Sequence, residues 1–176
     1  MKKILIESPP RTIMEVFHLL PEGTWVEVID GAMTMLPSLS YQHQNVVMKL
    51  LVAISDHCHA HDLGEVLPII DVYLDEHSNV VLPDVTFISN KKRSIIKDHV
   101  HGTPDFLVEV LMRGNENHDL VKKKDLYERF GVKEYRIVDP ETRQTQGFQL
   151  QPGKCLSISD QIGKIQSPLL DLTVSF

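Results

Sequence analysis

Hydrophobic residues dominate the stretch 105–111, Asp-Phe-Leu-Val-Glu-Val-Leu, which lies between Pro104 and Gly114 and is rich in Val, Leu and Phe, as strands are. Successive side chains of a strand point to opposite faces, so Asp105 and Glu109 share one face with two leucines. Five of the seven residues are apolar, which predicts a strand buried on both faces. A carboxylate in the middle of such a strand costs free energy unless a cation, a metal ion or a hydrogen-bond donor meets it. Glu109 is therefore the first candidate for a functional residue.

The segment that follows has the hydrophobic spacing of a helix over residues 116–130, closed by a glycine. Asp119, Lys123 and Tyr127 are four residues apart and share one side of that helix, next to its apolar stripe. A lysine placed there, directly after a strand with a central glutamate, predicts a contact between Lys123 and Glu109. The alternative is an internal pair of Asp119 with Lys123 and a purely structural Glu109.

The rest of the pattern predicts one α/β domain with a mixed sheet, comprising residues 1–176. Asp30-Gly31 between two alternating runs is a strong hairpin signal. Helices are predicted over 11–20 and 41–61, and strands over 25–29, 32–36, 65–74, 80–88, 133–139, 147–150, 155–158 and 172–176. Residues 90–102 are polar and basic and predict a loop or a short helix.

Composition narrows the class of protein. The chain has 176 residues, 42% hydrophobic and 24% charged, which is enough for one soluble domain with a core. A net charge of −6 argues against a protein that coats nucleic acid through a broadly basic surface, although it allows a local basic groove. Two widely spaced cysteines, no secretory signal and no apolar run of membrane-spanning length predict a cytoplasmic protein with free thiols and no membrane partner.

Three charged positions come together when these elements are assembled. Asp84 lies in the strand before 105–111, Glu109 lies in the centre of that next strand, and Lys123 lies on the following helix. Two carboxylates on neighbouring strands can hold one hard divalent cation, Mg²⁺ or Mn²⁺. The cation would activate water and polarise a phosphodiester, and a nearby lysine would stabilise the developing negative charge. Asp84, Glu109 and Lys123 are therefore the candidate catalytic residues, with Asp84 and Glu109 as metal ligands.

The order Asp, Glu, Lys is that of the PD-(D/E)XK nuclease superfamily, and within it the chain resembles the Uma-type restriction endonuclease family. The superfamily usually has a lysine two residues after the Glu, but this position is Leu111 here. Lys123 would take its place from the following helix. The resemblance covers roughly residues 11–150 and is carried by Trp25-Val-Glu-Val-Ile-Asp-Gly31, His43, Leu82-Pro-Asp-Val-Thr-Phe87, Gly102-Thr-Pro-Asp-Phe-Leu-Val-Glu-Val-Leu111, Asp119-x3-Lys123-x3-Tyr127 and Gly131-Val-Lys-Glu-Tyr-Arg-Ile-Val-Asp139.

This resemblance implies a restriction-endonuclease-like core, in which a mixed β-sheet is flanked by helices and preceded by an N-terminal helix and hairpin. It implies an endonuclease that uses Mg²⁺ or Mn²⁺ to hydrolyse phosphodiester bonds in DNA. Because cutting a duplex needs two sites and one 20.1 kDa subunit offers one, we expect a homodimer.

Two further sets of residues are candidates for a functional role. Those that would support the metal ligands or the lysine are Glu27, His43, Asp105, Asp119 and Tyr127. Those that would contact nucleic-acid phosphates are Lys91, Lys92 and Arg93, for which an ordinary solvated loop is the alternative.

Two departures from the family pattern leave alternatives open. Met112 stands where the family has Ser, and Arg136 stands where it has Trp after the Glu-Tyr pair. One alternative is a catalytically inactive relative that binds nucleic acid or a protein partner. Another is a small-molecule or structural protein in which the acidic pair is simply salt-bridged to Lys123.

Overall fold

The computed structural model describes residues 9–112, 118–151 and 154–176, without the side chains of residues 118–120, 154 and 159. Within this part of the chain, α-helices and β-strands form an α/β architecture with three sheets. The helices are α1 (Ile13–Leu19), α2 (Tyr41–Ala60) and α3 (Lys124–Phe130), with a 3₁₀ helix at Asn90–Ile95 and a π-helical segment at His118–Lys123. No helix among the described residues is long and apolar enough to cross a membrane.

A six-stranded mixed sheet forms the centre. Its strands, in spatial order, are β11 (Lys154–Ile162), β10 (Gln144–Gln151), β9 (Glu134–Val138), β8 (Phe106–Val110), β6 (Val85–Ser89) and β3 (Gly64–Pro68). Only β8 and β9 run parallel, and α3 connects them. The other neighbours in this sheet are antiparallel.

A five-stranded sheet packs beside this centre. In spatial order its strands are β2 (Ala32–Met35), β1 (Val26–Ile29), β5 (Val80–Val81), β4 (Val72–Tyr73) and β7 (Val100–His101). A separate hairpin joins β12 (Lys164–Ser167) to β13 (Leu172–Ser175). The predicted hairpin at Asp30-Gly31 is confirmed, because both residues have positive φ, as a tight two-residue turn requires.

Both faces of the six-stranded sheet are covered. On one face, α2 packs through Val46, Leu50 and Ile54 against Phe106 and Val108 of β8. The terminal hairpin β12–β13 belongs to the same hydrophobic cluster. On the other face, α3 and the five-stranded sheet contribute to a second hydrophobic cluster, which includes Leu107 of β8. Every residue of β8 is buried, so the prediction of a strand covered on both faces is confirmed.

Two predicted strands are split, and the reason is proline. The run 65–74 divides into β3 and β4, and the run 80–88 divides into β5 and β6. In each case one strand belongs to the six-stranded sheet (β3 and β6) and the other to the five-stranded sheet (β4 and β5). The chain therefore crosses from one sheet to the other at each division. Pro68 ends β3, and Pro83 lies in the second crossing; proline cannot donate a backbone hydrogen bond to a strand ladder.

Two further predictions change in detail. The polar stretch predicted as a loop or short helix contains the 3₁₀ helix and β7, and β12 was not predicted. The predicted helix 116–130 is a π-helical segment followed by α3, and its first two residues lie outside the described part. Gly131 ends α3 in the left-handed conformation, with φ 77°, as predicted.

Candidate active site

Glu109 of β8 lies at the centre of a buried polar cluster. Its side chain is 3% exposed, and its two carboxylate oxygens have different partners. The Tyr127 hydroxyl donates to Oε1 at 2.5 Å, and Lys123 Nζ donates to Oε2 at 2.9 Å. The strand face that carries Glu109 looks toward α3, as the alternation predicts. The predicted contact between Lys123 and Glu109 is therefore present.

Lys123 joins this carboxylate to a second one on another sheet. Its Nζ also lies 2.8 Å from Oε1 of Glu27, which belongs to β1. The same Glu27 oxygen accepts a hydrogen bond of 2.8 Å from the backbone N–H of Leu82, in the crossing between β5 and β6. Glu27 and Lys123 are both buried. The ammonium group thus holds two carboxylates from the two large sheets together.

The helix places Lys123 and Tyr127 on one side, as their spacing predicted. Lys123 is the last residue of the π-helical segment, and Tyr127 lies one turn later in α3. Burial, and after it the negative charge of Glu109, raises the pKa of Tyr127 well above its usual value. The phenol therefore stays protonated and donates its hydrogen to Glu109. The side chain of Asp119, predicted on the same side, lies outside the described residues.

Asp84 enters the site from the second crossing between the sheets. It follows Pro83 and precedes β6, and its Oδ2 accepts a hydrogen bond of 2.7 Å from the backbone N–H of Val110. Antiparallel pairing matches Val85 of β6 with Val108 of β8, so one further step places Asp84 opposite Glu109. Asp84 and Glu109 therefore come from neighbouring strands, as predicted, although Asp84 lies just before its strand rather than within it.

His43 reaches Asp84 from the first turn of α2. Its backbone N–H donates to the hydroxyl of Ser40, the N-cap of α2, at 3.2 Å. Its imidazole is buried, and Nε2 lies 3.2 Å from Oδ1 of Asp84 without the alignment of a hydrogen bond. Among the described residues, neither ring nitrogen of His43 has a hydrogen-bond partner.

A cleft of about 360 Å³ opens at the carboxyl ends of β8 and β9. Leu111 and Met112 line it after β8, Asp139 lines it after β9, and Ser40 lines it from the start of α2. In open α/β sheets, ligands bind outside the carboxyl ends of the strands. Met112, where the family pattern has serine, is thus part of the cleft wall.

Other predicted site residues lie at the opposite end of β8. Asp105 precedes that strand, four residues and about 13 Å from Glu109 along an extended chain. Its Oδ1 pairs with Lys133 at 2.7 Å and with Lys92 at 3.3 Å. Although burial opposes ionisation, these contacts and the N–H of Ser89 lower the pKa of Asp105 to about 2. Asp105 therefore lies apart from the polar cluster around Glu109.

The basic run is also at that opposite end. Lys92 donates to the carbonyl oxygen of Thr103 at 2.9 Å in addition to its pairing with Asp105. Arg93 pairs with Glu65 at 2.6 Å, and Lys91 is exposed. The expected phosphate contacts of Lys91, Lys92 and Arg93 therefore stay a prediction, for a surface away from Glu109.

Arg136, the second departure from the family pattern, has a structural role. Its guanidinium pairs with Glu134 at 2.9 Å and donates to the carbonyl oxygen of Gln166 in β12. A Cβ atom on Gly147 would lie 3.0 Å from this guanidinium, so the neighbouring strand leaves room for it only with glycine. Arg136 fixes the terminal hairpin to the central sheet and does not contact the cluster around Glu109.

The backbone donors at the site were not predicted. The N–H groups of Leu82 and Val110 fix Glu27 and Asp84, and no side-chain pattern in the sequence signals them. Their positions follow from the crossing between the two sheets.

The two side chains predicted as metal ligands, Asp84 and Glu109, are carboxylates on neighbouring strands. Within the described ranges, no group of three or more His, Cys, Asp and Glu side chains is placed so that it could hold a metal ion. Lys123 holds the carboxylates of Glu27 and Glu109 together, and Asp84 lies at the neighbouring strand position, opposite Glu109. The buried His43 ring without a hydrogen-bond partner lies beside Asp84 Oδ1. Carboxylate oxygens are the ligands that hard divalent cations prefer.

Fold and site together define a restriction-endonuclease-like α/β protein, which confirms the predicted fold class. The chain is similar to the crystal structure of a "putative nuclease belonging to DUF820" from Anabaena variabilis ATCC 29413, with a TM-score of 0.76 and 15% identity. The similarity covers 94% of this chain and 95% of that one. No curated protein matches the sequence.

The family follows from the sequence match. Residues 14–173 match the Uma2 family, which carries the description "Putative restriction endonuclease". The chain belongs to this family, so the resemblance drawn from its motifs is confirmed. Membership supports a nuclease.

Proposed function

We propose that the protein is a divalent-metal-dependent endonuclease that hydrolyses phosphodiester bonds in DNA. One observation carries this proposal: a buried lysine holds two carboxylates, Glu27 and Glu109, next to a third, Asp84, on the neighbouring strand. Such an assembly of like charges is costly to bury for structure alone. Membership of the Uma2 family, described as "Putative restriction endonuclease", supports hydrolysis of a nucleic acid as the class of reaction.

In this proposal Asp84 and Glu109 hold the cation, Mg²⁺ or Mn²⁺. When bound, the cation would supply Lewis-acid activation of the phosphodiester and of the attacking water. The N–H of Val110 orients Asp84, and the hydroxyl of Tyr127 orients Glu109. Lys123 pairs with Glu109 at 2.9 Å and would stabilise negative charge on the phosphoryl oxygens. The water oxygen forms a new P–O bond and gives up a proton, while a bridging P–O bond of the DNA backbone breaks and its leaving oxygen takes up a proton to become a hydroxyl.

The cleft at the ends of β8 and β9 is the proposed entrance for the DNA backbone. It begins two residues after Glu109, and the N-terminus of the 20-residue helix α2 forms part of its wall. Backbone N–H groups and the helix dipole at such a terminus favour phosphate. The protein would therefore approach the backbone through this cleft despite its net charge of −6.

The test is a metal titration followed by a cutting assay. Mg²⁺ and Mn²⁺ are titrated by calorimetry into the wild type, Glu109→Gln and Asp84→Asn, and each protein is then incubated with supercoiled plasmid. We expect metal binding and nicking by the wild type and loss of both in the two variants. Asp56→Asn, which removes an exposed carboxylate of α2, is the matched control and should behave as the wild type.

A second candidate function is an inactive nuclease-fold protein that binds nucleic acid or a protein partner. It is favoured by the pairing of both Glu109 oxygens, one with Lys123 and one with Tyr127. Metal binding without cutting of plasmid or of short duplexes would support it over the nuclease. Absence of metal binding by the wild type would contradict the proposed metal site itself.

Three broader expectations remain predictions. They are a single domain over residues 1–176, a homodimer, and a cytoplasmic location. The homodimer is a proposal that rests on the need for two sites to cut both strands of a duplex.

A further inference from the structure

A cavity of about 370 Å³, separate from the cleft at the ends of β8 and β9, lies at the crossings between the two large sheets. Its lining includes three apolar side chains and two polar ones, which are Trp25, Ile69, Leu82, Asp71 and His99. Sites for small molecules have volumes of about 300–1,000 Å³ and combine apolar walls with a few polar groups. The cavity has the size and the lining of such a site.

The cavity borders the candidate active site. Leu82 lines it, and the backbone N–H of Leu82 donates to Glu27 at 2.8 Å. The antiparallel pairing of β3 with β6, continued by one residue, places Ile69 opposite Asp84. In the strand order β3, β6, β8, β9, Asp84 and Glu109 therefore lie between this cavity and the cleft. A phosphodiester held at these two carboxylates would have a neighbouring nucleotide at the cavity.

Trp25 gives the cavity an aromatic surface. The backbone N–H of Leu36 donates to the carbonyl oxygen of Trp25 at 2.9 Å, which continues the β1–β2 ladder by one residue. The alternation of side chains then places Trp25 on the same face as Glu27, about 7 Å away along the strand. Its side chain is 38% exposed. Bases of single-stranded nucleic acids stack on aromatic side chains of this kind.

Asp71 supplies hydrogen-bond acceptors that the protein itself leaves unused. Within the described residues its carboxylate accepts no hydrogen bond, and its ion-pair partner His99 lies 3.6 Å away. Burial, the largest effect, raises the pKa of Asp71 above its ordinary value, although the charge of His99 opposes this. A partly buried carboxylate without donors favours a ligand that brings N–H groups to it.

The number of donors distinguishes the bases. The pairing edge of thymine has one N–H between two carbonyl groups, and adenine and cytosine each have one amino group beside an acceptor nitrogen. Guanine alone has two adjacent donors on that edge, N1–H and the N2 amino group, which match the two oxygens of a carboxylate.

We propose that this cavity binds one unpaired nucleobase of the DNA strand, stacked on Trp25 and hydrogen-bonded to Asp71, and that it favours guanine. The inference deepens the proposed function and rests on its assignment of DNA as the substrate. Because the pairing edge of a base is occupied in a duplex, the cavity takes the base from a single strand or after its extrusion from the helix.

The direct test is the binding of fluorescein-labelled pentanucleotides, measured by anisotropy in EDTA so that no cleavage interferes. Thymidines flank a central guanine, adenine, cytosine, thymine or abasic residue. We expect the guanine pentanucleotide to bind at least about 10-fold more tightly than the thymine one. The abasic one should bind most weakly.

Two variants assign this preference to the cavity. Trp25→Leu should weaken binding of the guanine pentanucleotide at least about 5-fold, whereas Trp25→Phe, which keeps an aromatic ring, should stay within about 3-fold of the wild type. Asp71→Asn should reduce the preference for guanine over thymine to less than about 2-fold, because the amide replaces one acceptor by a donor. Asp56→Asn, which removes an exposed carboxylate of α2, is the matched control and should keep the preference. Should Trp25→Leu fail to fold, the preference measured in Asp71→Asn decides.

The outcomes distinguish this inference from the proposed nuclease function. A wild type that binds the abasic and guanine pentanucleotides equally overturns the inference, while the nuclease proposal stands on the nicking of plasmid. A guanine preference that survives both Trp25→Leu and Asp71→Asn places the base elsewhere and also overturns it. A protein with the expected preference that nicks no plasmid with Mg²⁺ or Mn²⁺ supports the base site and contradicts the nuclease.

Discussion

Replacing Lys123 by methionine tests the central contact of the site. Methionine keeps an unbranched side chain of similar length and removes the charge. Lys123 Nζ lies 2.8 Å from a Glu27 oxygen and 2.9 Å from a Glu109 oxygen, and all three side chains are at most 4% exposed. The substitution therefore leaves two buried carboxylates without the cation that they share.

The expected loss of folding stability in Lys123→Met follows from these distances and from the burial of the three side chains. Two unit charges about 3 Å apart attract by roughly 5–6 kcal/mol at an effective dielectric constant of about 20. Desolvation of the ammonium group offsets several kcal/mol of this attraction. Removing one partner of a buried pair typically costs about 3–5 kcal/mol, because the remaining charge stays buried. We expect Lys123→Met to lose this amount, which is a large part of the total stability of about 5–15 kcal/mol typical of a domain.

The assay is urea unfolding, followed by far-ultraviolet circular dichroism and by the fluorescence of Trp25, the single tryptophan. The triple variant Lys123→Met, Glu27→Gln and Glu109→Gln should regain at least half of the loss, since no buried charge remains. Lys122→Met, which changes the exposed neighbouring lysine, should stay within about 0.5 kcal/mol of the wild type.

Two results would refute the reasoning about this contact. One is a Lys123→Met protein within about 1 kcal/mol of the wild type, the range of an exposed ion pair. The other is a triple variant that is no more stable than Lys123→Met. Either result would mean that the lysine does not compensate buried carboxylates.

Three further predictions concern other parts of the molecule. Because the pKa of Asp105 is lowered to about 2, its ionisation stabilises the fold fully above about pH 4 and loses this effect as the pH falls through 2. Asp105→Asn should thus cost about 2 kcal/mol in urea unfolding at pH 7 and progressively less below pH 4; a cost independent of pH would contradict this. Gly147→Ala places a Cβ 3.0 Å from the Arg136 guanidinium and should cost about 1–3 kcal/mol in urea unfolding; an unchanged midpoint would contradict this. The homodimer predicts twice the 20.1 kDa subunit mass in sedimentation, and a monomer at working concentration would count against it.

The local part of the site was readable from the sequence. The alternating side-chain directions of β8 and the four-residue spacing of Lys123 and Tyr127 indicated that these residues face Glu109. Both of them donate hydrogen bonds to Glu109. Such patterns work because strand and helix periodicity fix the direction of a side chain within a few residues. The fold class followed in the same way, from strands and helices that alternate along the chain.

The long-range part was not readable in the same way. The sequence indicated Glu27 as a candidate, but its contact with Lys123 depends on how the five-stranded sheet packs against the six-stranded one. The crossings between sheets were hidden inside runs that look like single strands, although Pro68 and Pro83 marked both of them. The sequence indicated the basic run as a candidate for phosphate contacts but not its position: strand order places it at the other end of β8, where Lys92 pairs with Asp105.

The lysine that joins the two sheets has a consequence for how this protein can change during evolution. Losing Lys123 by a single mutation leaves Glu27 and Glu109 buried without the cation that they share, so this step weakens the fold, whereas losing one glutamate leaves a balanced ion pair. Replacement of all three by well-packed apolar residues carries no such penalty. We therefore expect relatives that lack Lys123 to lack both glutamates as well, because a lysine lost alone would leave two buried carboxylates without a counter-charge.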